Sequence, residues 1–239
     1  LYGRGATDMK GFFPVAIEAA QVFREARLRE PLSLVATADE ESSMNGARAL
    51  AAAGQPKARA AIIGEPTSLV PVRMHKGIMM EAVTITGRAG HSSNPELGNS
   101  ALEGMYAVMG DLIAYRAQLR ERFSNDFFSV AWPTLNLGCV HGGDSPNRIC
   151  GQAELHFDLR ITPGADNQTL REEIAARLAT IARQRSLRIE LRSLVRDIAP
   201  FEQPADSELV RLAERLTGHR AEAVAFATEA PFLQALGME

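Results

Sequence analysis

Gln152-Ala153-Glu154-Leu155-His156-Phe157-Asp158-Leu159-Arg160-Ile161 alternates without a break between polar and apolar side chains. Successive strand side chains point to opposite faces, so Ala153, Leu155, Phe157, Leu159 and Ile161 line one face of a strand and Gln152, Glu154, His156, Asp158 and Arg160 the other. Working outward, residues 129–140 read as a second strand, and 78–87 as a third, where Val83 and Ile85 interleave with Thr84 and Thr86. Between those two runs a long helical pattern carries Leu102, Met105, Met109, Leu112, Ile113 and Leu119 on one stripe. On the C-terminal side a polar helix near 167–185 precedes Leu187, Ile189 and Leu191, which alternate with Arg188, Glu190 and Arg192. The order β-α-β-β-α-β is the ferredoxin-like split arrangement. Such a sheet lays its helices on the apolar face and leaves the other for water or a partner.

The flanks follow another style. Residues 12–26 read as an amphipathic helix with Phe12, Val15, Ala16, Ala19, Phe23 and Ala26 at helical spacing. Leu32-Ser33-Leu34-Val35-Ala36-Thr37-Ala38 reads as a buried strand, 45–53 as a short helix stopped by Gly54, and Arg59-Ala60-Ala61-Ile62-Ile63 as another strand. Alternation ends around 197–204, after which a helix near 206–216 and a short strand at 223–227 return to the first style. The expected architecture is an α/β domain with a largely parallel sheet, formed by 1–74 and 195–239, with a small α+β domain inserted at 75–194.

Bulk properties bound the partners. Hydrophobic residues make up 46% of 239 positions and the net charge is −3, so no long-range field points to nucleic acid or an anionic membrane. No apolar run approaches the roughly 18–20 residues that span a bilayer. Two cysteines, Cys139 and Cys150, do not make a disulfide framework and read as buried free thiols.

Chemistry concentrates where the apolar runs end. Glu40 and Glu41 leave the 32–38 run in different directions, so one can hold a metal while the other faces water. Glu65 closes the 59–63 run, and Asp8 sits in Gly3-Arg4-Gly5-Ala6-Thr7-Asp8-Met9-Lys10-Gly11. In open α/β sheets ligands bind beyond the carboxyl ends of the strands. A two-metal hydrolase needs several carboxylates and imidazoles as ligands and a separate carboxylate to carry protons. Asp8, Glu41 and Glu65 suit ligation, and Glu40 suits the base. Each also has a plain structural reading: Asp8 as a helix N-cap, Glu65 as a loop residue before Pro66, and the Glu pair as an ordinary surface turn.

The runs 3–11, Ala38-Asp39-Glu40-Glu41 and Gly64-Glu65-Pro66-Thr67-Ser68 resemble the M20 family of metallopeptidases and deacylases. So do Pro71-Val72-Arg73-Met74-His75-Lys76-Gly77, Gly90-His91-Ser92-Ser93, His141-Gly142-Gly143-Asp144, Asn147-Arg148-Ile149-Cys150 and Thr228-Glu229-Ala230-Pro231-Phe232, so the likeness runs from end to end. The resemblance implies a zinc-hydrolase-like α/β catalytic domain carrying a ferredoxin-like lid that pairs two subunits. It implies two zinc ions, with cobalt or manganese as substitutes. Asp8 would bridge them, Glu41 and Glu65 would each bind one, and Glu40 would act as base and then acid. His91 would steady the oxyanion, often in the partner subunit's site, and Asn147 and Arg160 would hold the substrate's carboxylate.

The implied reaction is removal of the acetyl group from N2-acetyl-L-ornithine, giving ornithine and acetate in a cytoplasmic biosynthetic setting. Desuccinylation of succinyl-diaminopimelate, cleavage of small peptides and a non-catalytic dimerising module are the alternatives. Asp144 and Glu229 are candidates for reading the ornithine amine. His156 and Arg160 share a polar strand face where a structural role or an acid partner competes, His141 is left open, His75 is a hinge or substrate contact, and His219 faces solvent. The family pattern also calls for a His-x-Asp run upstream of Asp8 and a histidine near the C-terminus, and neither is in this sequence. The chain therefore reads as the central part of a longer protein, and alone it is expected to bind metal weakly and turn over poorly.

Overall fold

The computed structural model describes residues 2–3 and 5–239. The chain forms two compact units: Leu1–Arg73 with Gln203–Glu222 and Thr228–Glu239, and Met74–Glu202 with Ala223–Ala227. Its elements in order are α1 (Phe12–Val22), α2 (Asn45–Ala52), β1 (Val72–His75), β2 (Gly77–Thr86), β3 (Gly90–His91), α3 (Ala101–Arg122), β4 (Thr134–Gly142), β5 (Arg148–Ile149), β6 (Gln152–Ile161), α4 (Asn167–Arg185), β7 (Arg188–Ser193), β8 (Phe201–Glu202), α5 (Glu208–Thr217), β9 (Glu222–Val224) and α6 (Ala230–Ala235).

The second unit is built on an antiparallel sheet of order β4-β6-β2-β7. β2 pairs with β6 along its whole length, from Gly77↔Ile161 to Thr86↔Gln152, and with β7 from Glu81↔Ser193 to Thr86↔Arg188. With α3 and α4 this is the ferredoxin-like order that the alternation of 152–161 predicts. Ala153, Leu155, Phe157, Leu159 and Ile161 are all buried and join Met79, Val83 and Ile85 of β2 in one core. Each fully buried side chain of this size contributes ~1.5–3 kcal/mol. Both helices start on side-chain caps: Ser100 Oγ accepts from Glu103 N–H at 3.3 Å, and Asp166 Oδ2 accepts from Thr169 N–H at 2.8 Å.

Three details differ from the sequence reading. α3 buries Ala101, Met105, Val108, Leu112, Tyr115 and Leu119, whereas Leu102 and Ile113 are exposed. A broad apolar stripe on a helix of 22 residues contains more than one possible seam, and the small Ala101 fits the closest approach. β4 starts at Thr134 rather than 129, because Pro133 has no N–H to donate to a ladder. Residues 195–202 belong to the second unit: Ile198 exchanges backbone hydrogen bonds of 2.9 and 3.0 Å with Ile78, and β8 pairs with β1 at Met74↔Glu202 and His75↔Phe201.

The first unit holds α1, α2, α5 and α6. Residues 32–38 and 59–63 run without ladder hydrogen bonds and are not strands among the described residues, so the expected parallel sheet is not formed. An apolar run becomes a strand only when a neighbour supplies the partner ladder, and Leu32, Leu34, Val35 and Ile62 are left exposed. Arg59 and Ala61 instead bond Glu239: Glu239 N–H donates to Arg59 O and Ala61 N–H to Glu239 O, both at 2.9 Å. No residue of α1 is buried, so its amphipathic pattern is only partly covered.

Candidate active site

A tight turn presents the Glu pair. Asp39 adopts φ 67° and its carboxylate accepts from Ser42 Oγ, Ser43 Oγ and Asn45 Nδ2, the last at 2.7 Å. The Ser42 and Ser43 hydroxyls hold its carboxyl below the usual range. Met44 N–H closes the turn on Asp39 O at 2.7 Å. Behind it Gly46 N–H donates to Ala38 O at 3.0 Å, an approach so close that a Cβ on Gly46 would stand 2.6 Å from Ala38 N. Asp39 is therefore the structural acid of Asp39-Glu40-Glu41, a role its sequence neighbourhood does not reveal.

Close packing also seats Glu65. A Cβ on Gly64 would stand 2.2 Å from Phe12 Cγ, so only glycine lets the first residue of α1 lie against the loop that carries Glu65. Asp8 sits five residues N-terminal to α1's second position, in the short turn Ala6–Lys10, with non-helical φ −99° and ψ 87°, and does not act as an N-cap to α1, whose preceding residue is Gly11.

The acids of this unit feel one another. Burial raises the Glu40 carboxyl above its ordinary value, and the charges of Glu41, Glu229 and Asp8 raise it further. Glu65 is pushed up to about 7 by burial first and then by Glu40, Asp8, Glu41 and Glu229. The charged groups that act on these two are all carboxylates, a crowding that a divalent cation would relieve. Glu229 enters this group from the N-terminal end of α6 and is itself buried. The helix is held by α2, where the Arg48 guanidinium lies 4.7 Å from the centre of the Phe232 ring.

Among the described residues no three His, Cys, Asp or Glu side chains converge closely enough to hold an ion. The set Asp8, Glu41 and Glu65 named from the sequence thus shares one charge neighbourhood without closing into a coordination shell. Asp8 and Glu41 are exposed. In chemistry the donors fit a divalent metal, since they are hard carboxylate oxygens.

The second unit carries His91, Asn147 and Arg160. β3 pairs with β5 at His91↔Arg148, and Ser92 N–H donates to Asn147 O at 2.9 Å, so His91 and Asn147 lie on adjoining loops. His91 Nδ1 accepts from Ser93 N–H at 3.3 Å and lies 2.7 Å from Ser93 Oγ. A backbone N–H can only donate, so Nδ1 is the acceptor and the neutral ring carries its proton on Nε2. Both His91 and Asn147 are exposed.

Arg160 is elsewhere. It lies near the far end of β6 from the Asn147 loop, about 26 Å along the strand from Gln152 at the usual rise per residue. Within one chain Asn147 and Arg160 therefore stand far apart. Arg160 Nε donates to Asp158 Oδ2 at 2.9 Å, the neighbouring acid on its strand face.

The remaining histidines separate clearly. His156 Nε2 lies 2.6 Å from Glu154 Oε1, which also accepts from Arg192 at 2.9 Å, while Thr84 Oγ1 donates to Glu154 Oε2 at 3.0 Å, a structural network on the open sheet face. His75 is buried beside Phe201 and donates Nδ1–H to Lys76 O at 3.0 Å, and burial pushes it down to about 4. His141 Nε2 lies 2.9 Å from Cys139 Sγ; Cys139 is half-buried rather than buried, while Cys150 is buried as expected.

The peptidase dimerisation domain of the M20 family matches residues 73–186. Acetylornithine deacetylase of Edwardsiella ictaluri is 47% identical over 234 residues, 98% of this chain. The chain belongs to the M20 family. Acetylornithine deacetylase of Klebsiella pneumoniae is 44% identical over 99% of the chain. This M20 chain spans 61% and 62% of the length of those two relatives. Among solved structures, a tripeptidase from Staphylococcus aureus matches 98% of the chain, and 61% of its own, with a TM-score of 0.67 at 18% identity. An aminopeptidase from Bacillus cereus matches 94% of the chain, and 59% of its own, with a TM-score of 0.66 at 19% identity. At that identity the likeness speaks for the M20 fold alone.

Proposed function

We propose that this chain is the central part of a metal-dependent amide hydrolase that converts N2-acetyl-L-ornithine to ornithine and acetate, a step of arginine biosynthesis in the cytoplasm. The observation that carries most weight is the half-buried pair Glu40 and Glu65, whose carboxyls are raised by burial and by the surrounding acids. It occurs in a sequence 43–47% identical to acetylornithine deacetylases over 98–99% of its length.

Glu40 takes a proton from the attacking water as its oxygen bonds to the acetyl carbonyl carbon. It then delivers that proton to the amide nitrogen as the carbon–nitrogen bond breaks. A raised carboxyl pKa serves both halves, because the group accepts a proton more readily than an ordinary carboxylate and can still return it. Asp8, Glu41 and Glu65 would hold zinc or a similar divalent ion. When bound, that ion supplies the positive charge that polarises the carbonyl and eases loss of the water proton. His91, whose Nδ1 is taken up by Ser93 so that the neutral ring carries its proton on Nε2, donates that proton in a hydrogen bond to the oxygen of the tetrahedral intermediate.

The separation of Asn147 and Arg160 along β6 favours a homodimeric site. His91 and Asn147 from one subunit then meet the substrate bound by Arg160 of the other. The matched dimerisation domain is in keeping with this. The 239-residue chain alone, without the two histidine ligands called for by the family pattern, is expected to bind metal weakly and release little acetate.

Glu40→Gln in the protein at its relatives' full length tests the reading. Acetate release from acetylornithine is expected to fall about 100-fold or more with metal content unchanged. Unchanged turnover would remove Glu40 from the chemistry. Turnover of succinyl-diaminopimelate or dipeptides in place of acetylornithine by the unsubstituted protein would move the substrate to a sister reaction.

A further inference from the structure

The deacetylase reading leaves unassigned how the cationic side chain of ornithine is recognised. Glu229 is 9% exposed, and its Oε1 is buried with no hydrogen-bond partner among the described residues. It stands at the N-terminal end of α6 without capping it; Thr228 Oγ1 accepts from Ala230 N–H there at 3.2 Å. A buried carboxylate oxygen without a donor is costly, and in a native protein it calls for a specific role such as catalysis or the binding of a water, ion or ligand. α6 packs on α2 through Phe232 and Arg48, and α2 holds the turn that carries Glu40 through Asn45 and Gly46, so Glu229 stands on the element next to that turn.

The other acids are committed elsewhere. Asp39 is used by Ser42, Ser43 and Asn45. Asp144 is exposed and paired with Arg148. Asp8 and Glu41 are exposed and belong to the metal-binding set proposed above. Among the described residues of the first unit, Glu229 alone combines burial with a carboxylate oxygen that lacks a donor. An ammonium group offers three donors and no acceptor, the complement such an oxygen lacks.

We infer that Glu229 is a specificity-determining residue that receives the side-chain ammonium of the substrate. This rests on the deacetylase reading, with the amide carbonyl at Glu40 and the ammonium three methylenes from the α-carbon at Glu229.

The test compares N2-acetyl-L-ornithine with N2-acetyl-L-norleucine, which has a methyl group in place of the ammonium, on the full-length metal-loaded protein and its Glu229→Gln and Glu229→Met variants. Metal content and thermal midpoint are measured in parallel. The unsubstituted protein is expected to prefer acetylornithine, mainly through KM. Both variants are expected to lose about 10- to 150-fold in kcat/KM on acetylornithine, the range of one charged hydrogen bond. Loss of the Glu229 charge next to Glu40 acts on both substrates alike, so the preference for acetylornithine over acetylnorleucine should fall by that factor while metal is kept and the thermal midpoint is unchanged or raised. A purely structural residue would lower that midpoint.

An equal fall on both substrates, no fall on either, or metal loss that tracks the loss of activity overturns the inference and leaves the deacetylase reading standing. An unsubstituted protein that carries metal but releases acetate from neither substrate, or shows no preference for the cationic one, overturns the substrate reading and the inference with it.

Discussion

Replacing Arg171 by alanine is expected to unfold the second unit far more readily than any change on its exposed face. Glu81 is fully buried in β2, and Arg171 on α4 reaches it with Nη2 at 2.7 Å and Nε at 3.1 Å. Ser193 Oγ lies 3.0 and 3.1 Å from the two carboxylate oxygens and can donate to only one of them at a time. Arg171 also pairs with Asp197 at 3.2 Å. Without Arg171 the buried carboxylate keeps one hydroxyl donor and no countercharge. Breaking a buried pair from one side costs about 3–5 kcal/mol, whereas replacing both partners by apolar groups of similar size is often neutral or stabilising. Urea unfolding followed by circular dichroism should therefore show a loss of that size for Arg171→Ala and a much smaller one for Glu81→Met with Arg171→Leu. A single-variant loss under about 1 kcal/mol, the level of exposed pairs, would refute the view that this ion pair is sealed from water.

Three further outcomes follow from the geometry. His75 has its pKa lowered from 6.5 to about 4 in the folded chain, so the unfolded chain binds more protons between those values. Stability from this group is then fully present above about pH 6.5 and is lost as pH falls towards 4, by ~3 kcal/mol. Relative to His75→Phe, the parent should therefore lose stability as pH falls through that window, and parallel pH curves would contradict it. Ser93→Ala removes the hydroxyl that helps fix the His91 ring, so kcat of the full-length protein should drop several-fold with KM little changed. A change in KM alone would speak against the oxyanion role. Leu159 is fully buried, and Leu159→Ala should cost about 2–5 kcal/mol in denaturant unfolding; a loss under 1 kcal/mol would mean the site relaxes to fill the space.

Much of the inserted unit is legible in the sequence because its strands carry their own period. The alternation of 152–161 names every core residue of β6 before any partner is known. The seam of α3 is less legible, since Leu102 and Ile113 are as apolar as the residues that end up inside, and only the packing against the sheet separates them. The flanking runs 32–38 and 59–63 have strand composition, but a strand needs a partner and none is paired to them among the described residues. In the site, Glu40, Glu41, Glu65 and Asp8 are marked by their motifs. Glu229 is marked only faintly, because burial and the lack of a hydrogen-bond donor are properties of the folded chain. The distance between Asn147 and Arg160 is similarly hidden, since thirteen positions of sequence say little until β6 is known to run between them.

The central claim is that the crowded carboxylates serve a metal-dependent deacetylation. Its most direct test is metal content and acetate release from acetylornithine, measured together on the protein at its relatives' full length. The account predicts about two divalent ions per subunit, with acetate released only while they are bound. Acetate release unaffected by complete metal removal, or a protein that takes up no metal at all, would contradict it.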